Sequence, residues 1–234
     1  MNRGGVASLG PTIGRTRRGR ITAGLVAAVI AALAAFVIFD PPWVVESINS
    51  AGSGSSVAGS ANLDPQKYVD AIWSSKVLPT VKRSAVDLPT LLAELKRNPA
   101  AASKKYGHYA VLNAPPAFLV KGGGRVVSVD TTSLVSKAGI ALGSGTKPDV
   151  FMQLPPIFSG TDIRDALPFI NFNQFVNQVQ FGEVAIAINA KVAGTSFAKV
   201  NVDKLKGKRV TFTAALTRSP GVPLLTPITI EVAK

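Results

Sequence analysis

The sequence has 234 residues, no cysteine, one histidine and a formal net charge of +13. The lack of cysteine argues against disulfide bonds, a thiol nucleophile and a leader with a lipidated cysteine. His108 is the sole imidazole for a catalytic triad or a metal site, so we expect no metal and no cofactor. Five of the 26 basic residues precede position 21 and all 13 acids follow it, so the rest of the chain carries a formal charge of +8.

An apolar segment near the amino terminus predicts a membrane anchor. Residues 21–39 contain no charge, and as a helix they would reach roughly 28 Å, close to the hydrocarbon thickness of a bilayer. Four arginines within residues 15–20, directly before the apolar segment, predict that residues 1–20 form a basic tail that stays in the cytoplasm. A cleaved export signal is the alternative, because Ala32 and Ala34 fit a small-residue cleavage site, but cleavage there would leave an exposed apolar terminus. The prediction is a single-pass protein of the bacterial inner membrane, with its carboxy-terminal domain in the periplasm.

The next segment is rich in glycine and serine and predicts a flexible linker over residues 40–63. A helical subdomain is then predicted over residues 64–109. Its first helix starts with Asp64 as N-cap and Pro65 at the first helical position, and it is expected to bend or break near Pro79.

Two more helices complete the predicted helical subdomain. Leucines recur at helical spacing from Leu88 and predict the second helix. Asn98 and Pro99 predict the start of a short third helix, which Gly107 can end.

Beyond residue 109 the hydrophobic period changes to that of strands. Around the three glycines at 122–124 the sequence predicts a strand, a tight turn and a second strand, since the P-loop spacing for a phosphate site is missing. Further strands are predicted at 133–142 and 149–154, and two more, with alternating apolar residues, at 208–216 and 227–232.

Helical patterns lie between these strands. A short helix is predicted at 163–167 and a long one from near Asn173, with phenylalanine and valine on one face and the amides of Asn173, Asn177 and Gln180 on a neighbouring face. The predicted fold class is therefore α+β: a small OB-like β-barrel with a long helix over residues 110–234, preceded by the helical subdomain.

Residues with useful chemistry are few. Asp162 and Asp165 are the only close acidic pair, and carboxylate-only hydrolysis needs two such acids, but Arg164 between them favours an ion pair or a helix cap. His108 follows a predicted helix end, which favours a surface or capping role. Amide side chains suit neutral polyhydroxyl ligands as well as a solvated helix face. The candidate ligand- or partner-binding residues, chosen because polar side chains cluster there between apolar anchors, are Arg164, Asp165, Asn173, Asn177 and Gln178.

Four blocks of sequence follow one another in a distinctive order: DPQKYVDAIWSSKVLP, FLVKGGGRVVSVDT, GTDIRDALPFINFNQFVNQVQF and LKGKRVTF. These blocks resemble one bacterial family, the predicted periplasmic lipoproteins with domain of unknown function 2291. The resemblance implies a membrane-tethered domain on the export side, with a helical part and an OB-like part, and genes that often lie beside sugar ABC transporters. The chain departs from the family in lacking the lipidated cysteine, in whose place it has the apolar segment 21–39. The family has no known site residues, so none is carried over.

Three functions remain in competition. The first is a non-enzymatic accessory or binding module of sugar ABC transport, whose partners would be the cytoplasmic membrane and a permease or solute-binding protein, with no nucleic acid. The second is an envelope protein that binds polyanions or glycans through its basic domain. The third is a hydrolase that uses Asp162 or Asp165.

Overall fold

The computed structural model describes residues 62–112, 114–218 and 221–233. The predicted basic tail, the predicted anchor at 21–39 and the predicted linker up to residue 61 lie outside these described residues. Within the described ranges, none of the helices has both the length and the apolar character needed to cross a bilayer.

The first helical segment is interrupted before its proline. It consists of α1 (Pro65–Ile72), a π-helical turn (Trp73–Val77) and α2 (Leu78–Ser84). The carboxylate of Asp64 caps α1, since it accepts hydrogen bonds from the backbone N–H groups of Gln66 and Lys67 at 3.0 and 3.1 Å. Pro79 has no N–H to donate to the preceding turn, and the helix widens into the π-helical turn just before it and then continues through Pro79 to Ser84. The predicted cap is confirmed, whereas the helix does not break at Pro79.

Two further helices follow and also start where the sequence predicts. They are α3 (Leu88–Arg97) and α4 (Pro99–Tyr106). Asp87 caps α3 by accepting from the N–H of Thr90 at 3.2 Å, and Asn98 caps α4 by accepting from the N–H of Ala101 at 3.0 Å. Gly107 follows α4, and a Cβ atom there would lie 2.6 Å from a backbone oxygen of the last turn, so only glycine fits.

Five strands form a closed barrel, and a two-residue strand is added at its side. The strands are β1 (Val86–Asp87), β2 (Ala117–Asp130), β3 (Lys137–Ala141), β4 (Val150–Gln153), β5 (Arg209–Thr217) and β6 (Leu224–Val232). The order across the sheet is β1-β2-β3-β4-β6-β5, and the pairing of β2 with β5 closes the barrel. β1 lies parallel to β2, and β4 lies parallel to β6. A five-stranded Greek-key barrel of this kind confirms the predicted α+β, OB-like fold.

The prediction of a hairpin turn at residues 122–124 is wrong, because β2 runs through all three glycines as one strand. The first part of β2 pairs with β5 and the last part with β3, and both partners meet at Arg125. A Cβ atom on Gly124 would lie 2.4 Å from the carbonyl oxygen of Ala141 and 2.6 Å from a methyl carbon of Ile140. Glycine is therefore needed because β3 approaches β2 closely where β2 changes its pairing partner from β5 to β3. It is not needed for a chain turn.

Of the two helices between β4 and β5, the first matches the prediction and the second begins later than predicted. α5 spans Asp162–Ala166 and confirms the short predicted helix, whereas α6 spans Gln178–Thr195 and does not begin near Asn173. A separate 3-10 turn occupies Phe172–Gln174, and extended backbone at Asn177 separates it from α6. The prediction for β3 was also too long, since the strand starts at Lys137 and not at residue 133.

Helices and barrel share one hydrophobic core. Fully buried side chains of that core come from α3, from the barrel strands and from α6, for example Leu88, Phe118, Ile140 and Ile188. α1 packs along α6, and Lys191 of α6 makes an ion pair of 2.9 Å with Asp70 of α1. The division into subdomains at residues 64–109 and 110–234 stays a prediction.

The turn after β2 allows a prediction about pH. The hydroxyl groups of Ser133 and Thr132 donate to the carboxylate of Asp130 at 2.6 and 2.9 Å, and they lower the pKa of this exposed carboxyl from 3.8 to about 2. The folded-state pKa is depressed, so the contribution of the turn is present above pH 3.8 and lost as the pH falls through about 2. We expect a carboxyl NMR titration of Asp130 to show a midpoint near 2, and Ser133→Ala to raise it. An ordinary midpoint in the unmodified protein would contradict the prediction.

Candidate functional site

Arg164, which lies at the centre of the site predicted from the sequence, is buried, and its guanidinium donates hydrogen bonds to other residues of the chain. The side chain lies on α5, and the residue is only 6% exposed. Its Nε and Nη2 donate to Asp165 Oδ1 at 2.8 and 2.6 Å, and its Nη1 donates to the carbonyl oxygen of Phe181 at 2.9 Å. The guanidinium carbon also lies 3.5 Å from the centroid of the Phe181 ring. Arg164 thus attaches α5 to the first turn of α6.

The carboxylates of Asp162 and Asp165 also accept hydrogen bonds from other residues of the chain. Asp165 accepts from the hydroxyl of Thr161 at 2.5 Å, in addition to its bonds from Arg164. Asp162 accepts from the hydroxyls of Thr217 on β5 and Thr226 on β6, at 2.5 and 2.9 Å. Asp162 therefore holds α5 against the barrel. Asp165 instead makes the ion pair with Arg164 that the sequence favoured.

The single histidine belongs to the same region. His108 Nδ1 lies 2.7 Å from the backbone carbonyl oxygen of Asp165, and the imidazole is half-buried. The backbone of His108 also pairs with Ala117 at the start of β2. These contacts give His108 a role in connecting the end of the helical segment to α5.

The amide side chains do not form one helix face, so that prediction is wrong. Asn173 lies in the 3-10 turn and is exposed, and Asn177 precedes α6 and caps it by accepting from the N–H of Gln180 at 2.9 Å. Gln180 is buried, and its Oε1 accepts from the N–H of Val176 at 3.1 Å. Gln178 is exposed in the first turn of α6. The structure thus brings Arg164 and Asp165 together, whereas a ligand role for these five residues stays a prediction.

A polar groove on the outside of the barrel is the stronger candidate site. Its open volume is about 470 Å³, and its lining comes from four neighbouring strands, β1, β2, β5 and β6. The lining residues are Asp87, Lys121, Gly122, Gly123, Thr211, Phe212, Thr213, Thr229 and Glu231.

Strand register arranges most of these residues in two rows across the sheet. In the first row Asp87 pairs with Lys121, Lys121 with Thr213, and Thr213 with Thr229. In the second row Gly123 pairs with Thr211, and Thr211 with Glu231. Neighbouring side chains in such rows lie close enough to act together.

The chemistry of the groove is that of a mixed polar surface. Three threonine hydroxyls can donate and accept, one ammonium can donate, and two carboxylates can accept. Thr213 and Thr229 already share a hydrogen bond of 2.7 Å between their hydroxyl oxygens. Lys121 and Glu231 make no ion pair within the described part of the chain. Gly123 has no side chain, and a Cβ atom there would lie only 3.3 Å from the methyl carbon of Thr211.

Sequence reasoning missed the groove, although part of its signal was visible. The alternation of β5 places Thr211 and Thr213 on the face opposite the core, and the glycine run marks a strand with little side-chain volume. The sequence does not show that β1 and β6 also contribute polar residues to this groove. Among the described residues, no three of His, Cys, Asp and Glu lie close enough together to hold a metal ion.

One solved structure supports the assignment of the fold. An OB-fold protein from Thermotoga maritima superposes with a TM-score of 0.57, at 18% sequence identity, over 73% of this chain and 98% of that chain. At this identity the likeness concerns the fold alone. OB folds commonly bind ligands on the face of their second and third strands, here β3 and β4, and the groove lies elsewhere.

The comparison by sequence places the chain among envelope proteins. No curated protein is similar to it. The family model of the predicted periplasmic lipoproteins (DUF2291) matches residues 28–231, which include every strand and helix of the described structure except the last residue of β6. The family description indicates an extracytoplasmic, envelope-associated protein of unknown function. This chain belongs to the predicted periplasmic lipoprotein family with domain of unknown function 2291.

Proposed function

We propose that this protein is a non-enzymatic accessory module of the cell envelope that serves sugar uptake by an ABC transporter. Residues 21–39 hold it on the cytoplasmic membrane as a single-pass anchor, with its amino terminus in the cytoplasm and its domain in the periplasm. The outer barrel groove binds a small neutral polyhydroxyl molecule. The observation that carries the binding role is the convergence of hydroxyl, ammonium and carboxylate groups from four strands in one groove.

A sugar suits this groove because each of its hydroxyls both donates and accepts hydrogen bonds. Lys121 can donate to a sugar oxygen, Glu231 can accept from sugar hydroxyls, and the threonines can do either. Asp87 can accept through Oδ1, because its Oδ2 already accepts from Thr90. The formal charge of these three ionised side chains is −1, which gives a polyanion little attraction. The link to transport rests on the gene neighbourhood that the family resemblance implies.

The use of the acidic pair supports a binding role over a hydrolytic one. Asp162 and Asp165 both accept hydrogen bonds from groups that hold α5 in place. Carboxylates that catalyse glycoside hydrolysis must instead face the scissile bond with room for substrate and water. The role as a hydrolase is therefore the weaker proposal.

Association with a transporter is tested by affinity purification of the tagged full chain from gently solubilised native membranes. Enrichment of a permease or a solute-binding protein, found by mass spectrometry, is the expected result. Recovery of the protein alone, together with unchanged sugar uptake in a deletion strain, would refute the link to transport.

Ligand binding in the groove is tested by calorimetry with a panel of neutral mono- and disaccharides. For a sugar that binds, we expect Lys121→Ala to weaken affinity about tenfold, because a hydrogen bond from a charged donor contributes about 1.5 kcal/mol. Thr213→Val removes a hydroxyl at the centre of the first row and is expected to weaken binding severalfold. Lys147→Ala changes an exposed lysine of the β3–β4 turn and should leave affinity unchanged. Equal affinities for the groove variants and this control would place the ligand elsewhere.

A further inference from the structure

An exposed apolar loop follows α4. Its backbone is closed at the base by two hydrogen bonds between His108 and Ala117, of 2.8 and 2.9 Å. Beyond this base the side chains of Tyr109, Val111 and Leu112 are exposed, and Leu112 is 89% exposed. We call these three side chains the loop tip. A soluble surface gains nothing from holding a tyrosine, a valine and a leucine in water on one short loop, so the loop tip indicates a contact surface.

The sequence around the loop tip is entirely free of acids. From residue 95 to residue 129 there is no aspartate or glutamate, and the basic residues in this run are Lys96, Arg97, Lys104, Lys105, Lys121 and Arg125. Lys104 and Lys105 are exposed in the last turn of α4, directly before the loop. Glu94, the acid that precedes the run, pairs with Arg97 at 2.8 Å. Lys104 and Lys105 make no ion pair within the described part of the chain, so the loop tip is next to positive charge.

We propose that the loop tip inserts into the headgroup region of a bilayer that contains anionic phospholipid, with Lys104 and Lys105 on the lipid phosphates. Apolar and aromatic side chains beside lysines are the combination that binds at a membrane interface, since the rings and aliphatic groups leave water while the ammonium groups meet anionic headgroups. An apolar protein partner would not explain the lysines. The chain belongs to an envelope family, so such a membrane surface is at hand.

This contact is independent of the sugar groove and adds a second attachment to any anchor at the amino terminus. Each lysine near an anionic surface contributes modestly, and one short loop buries little apolar area. The loop therefore cannot be the main anchor. Its effect is to orient the domain, by fixing the end of α4 against the bilayer.

The lack of cysteine allows a clean test with single labels on the full chain. Leu112→Cys is labelled with an environment-sensitive fluorophore and reconstituted into vesicles of equimolar phosphatidylcholine and phosphatidylglycerol, or of phosphatidylcholine alone. Leu134→Cys is the matched control, because Leu134 is 87% exposed on the loop between β2 and β3. The label at position 112 is expected to brighten severalfold and shift to the blue in the anionic vesicles, and much less in the neutral ones. The label at position 134 is expected to stay water-like in both.

The role of the lysines is tested in the Leu112→Cys background. Lys104→Gln with Lys105→Gln, or added salt, should reduce the response to anionic vesicles towards that of neutral ones. A label at 112 that stays as water-like as the label at 134 would overturn the proposal. A fluorescence change at position 112 that depends neither on the charge of the lipid nor on the two lysines would also overturn the proposal. Shielding in detergent without vesicles, growing with protein concentration, would show that the loop tip contacts a second copy instead of lipid.

Discussion

Replacing Arg164 with alanine is expected to lower the free energy of unfolding by about 3 kcal/mol. The substitution removes three hydrogen bonds at once, two to Asp165 and one to the carbonyl of Phe181, and it removes the cation from the Phe181 ring. The Asp165 side chain keeps 23% exposure, so water can partly replace the lost cation, and we place the effect at the lower end for a buried pair. Thermal unfolding followed by circular dichroism should show a midpoint lower by roughly 6–12 °C.

An exposed ion pair provides the control for this prediction. Arg97 bonds to Glu94 at 2.8 Å, but the Arg97 side chain is 76% exposed. Arg97→Ala is therefore expected to cost less than about 1 kcal/mol. Arg164→Lys should recover only part of the loss, because an ammonium cannot reproduce the planar fork that bonds Asp165 and Phe181 together. Equal effects of Arg164→Ala and Arg97→Ala would show that the Arg164 contacts contribute little to stability.

Gly124→Ala is expected to destabilise the barrel by about 3 kcal/mol, a large effect for one added methyl group. The new Cβ atom would lie 2.4 Å from the carbonyl oxygen of Ala141, a backbone atom of β3 that cannot move without breaking its pairing with β2. It would also lie 2.6 Å from the side chain of Ile140, which is fully buried. Urea unfolding should show a lower midpoint with a similar slope.

Gly143→Ala is the matched control, since nothing lies within 4 Å of a Cβ atom at that exposed turn position. It is expected to change stability by less than about 0.5 kcal/mol. If Gly124→Ala were as mild as Gly143→Ala, the glycine run would be dispensable for barrel closure. The explanation of residues 122–124 as a close approach would then be wrong.

The site predicted from the sequence and the candidate groove differ in the surroundings of their polar groups, which are the protein interior for Arg164 and solvent for the groove. Arg164 and Asp165 are candidates in the sequence because polar residues cluster there between apolar ones, but in the fold Arg164 is buried and Asp165 is half-buried beside it. In the groove, Lys121 and Thr211 are both exposed to solvent. Polar residues that stand beside apolar ones in the sequence can either join two helices in the interior or bind a ligand at the surface. Only the hydrogen bonds seen in the structure distinguish these two roles.

Local features whose cause lies within a few residues could be predicted from the sequence alone. Asp64, Asp87 and Asn98 cap helices because a side-chain oxygen reaches the N–H groups two or three positions ahead, and this needs no tertiary contact. The period-two pattern likewise predicted β5 and β6, and with them the barrel. The sequence also shows directly that residues 95–129 contain basic residues and no acids.

Features that depend on contacts between residues distant in the chain could not be predicted in this way. Three glycines permit either a turn or a close approach, and the carbonyl of Ala141 decided for the latter. The start of α6 moved to Gln178 because Asn177 caps it there, whereas the apolar period extended further back. The groove exists because strand register sets Lys121 beside Thr213 and Thr213 beside Thr229. Register between distant strands is set by barrel closure, and no local pattern of residues contains that information.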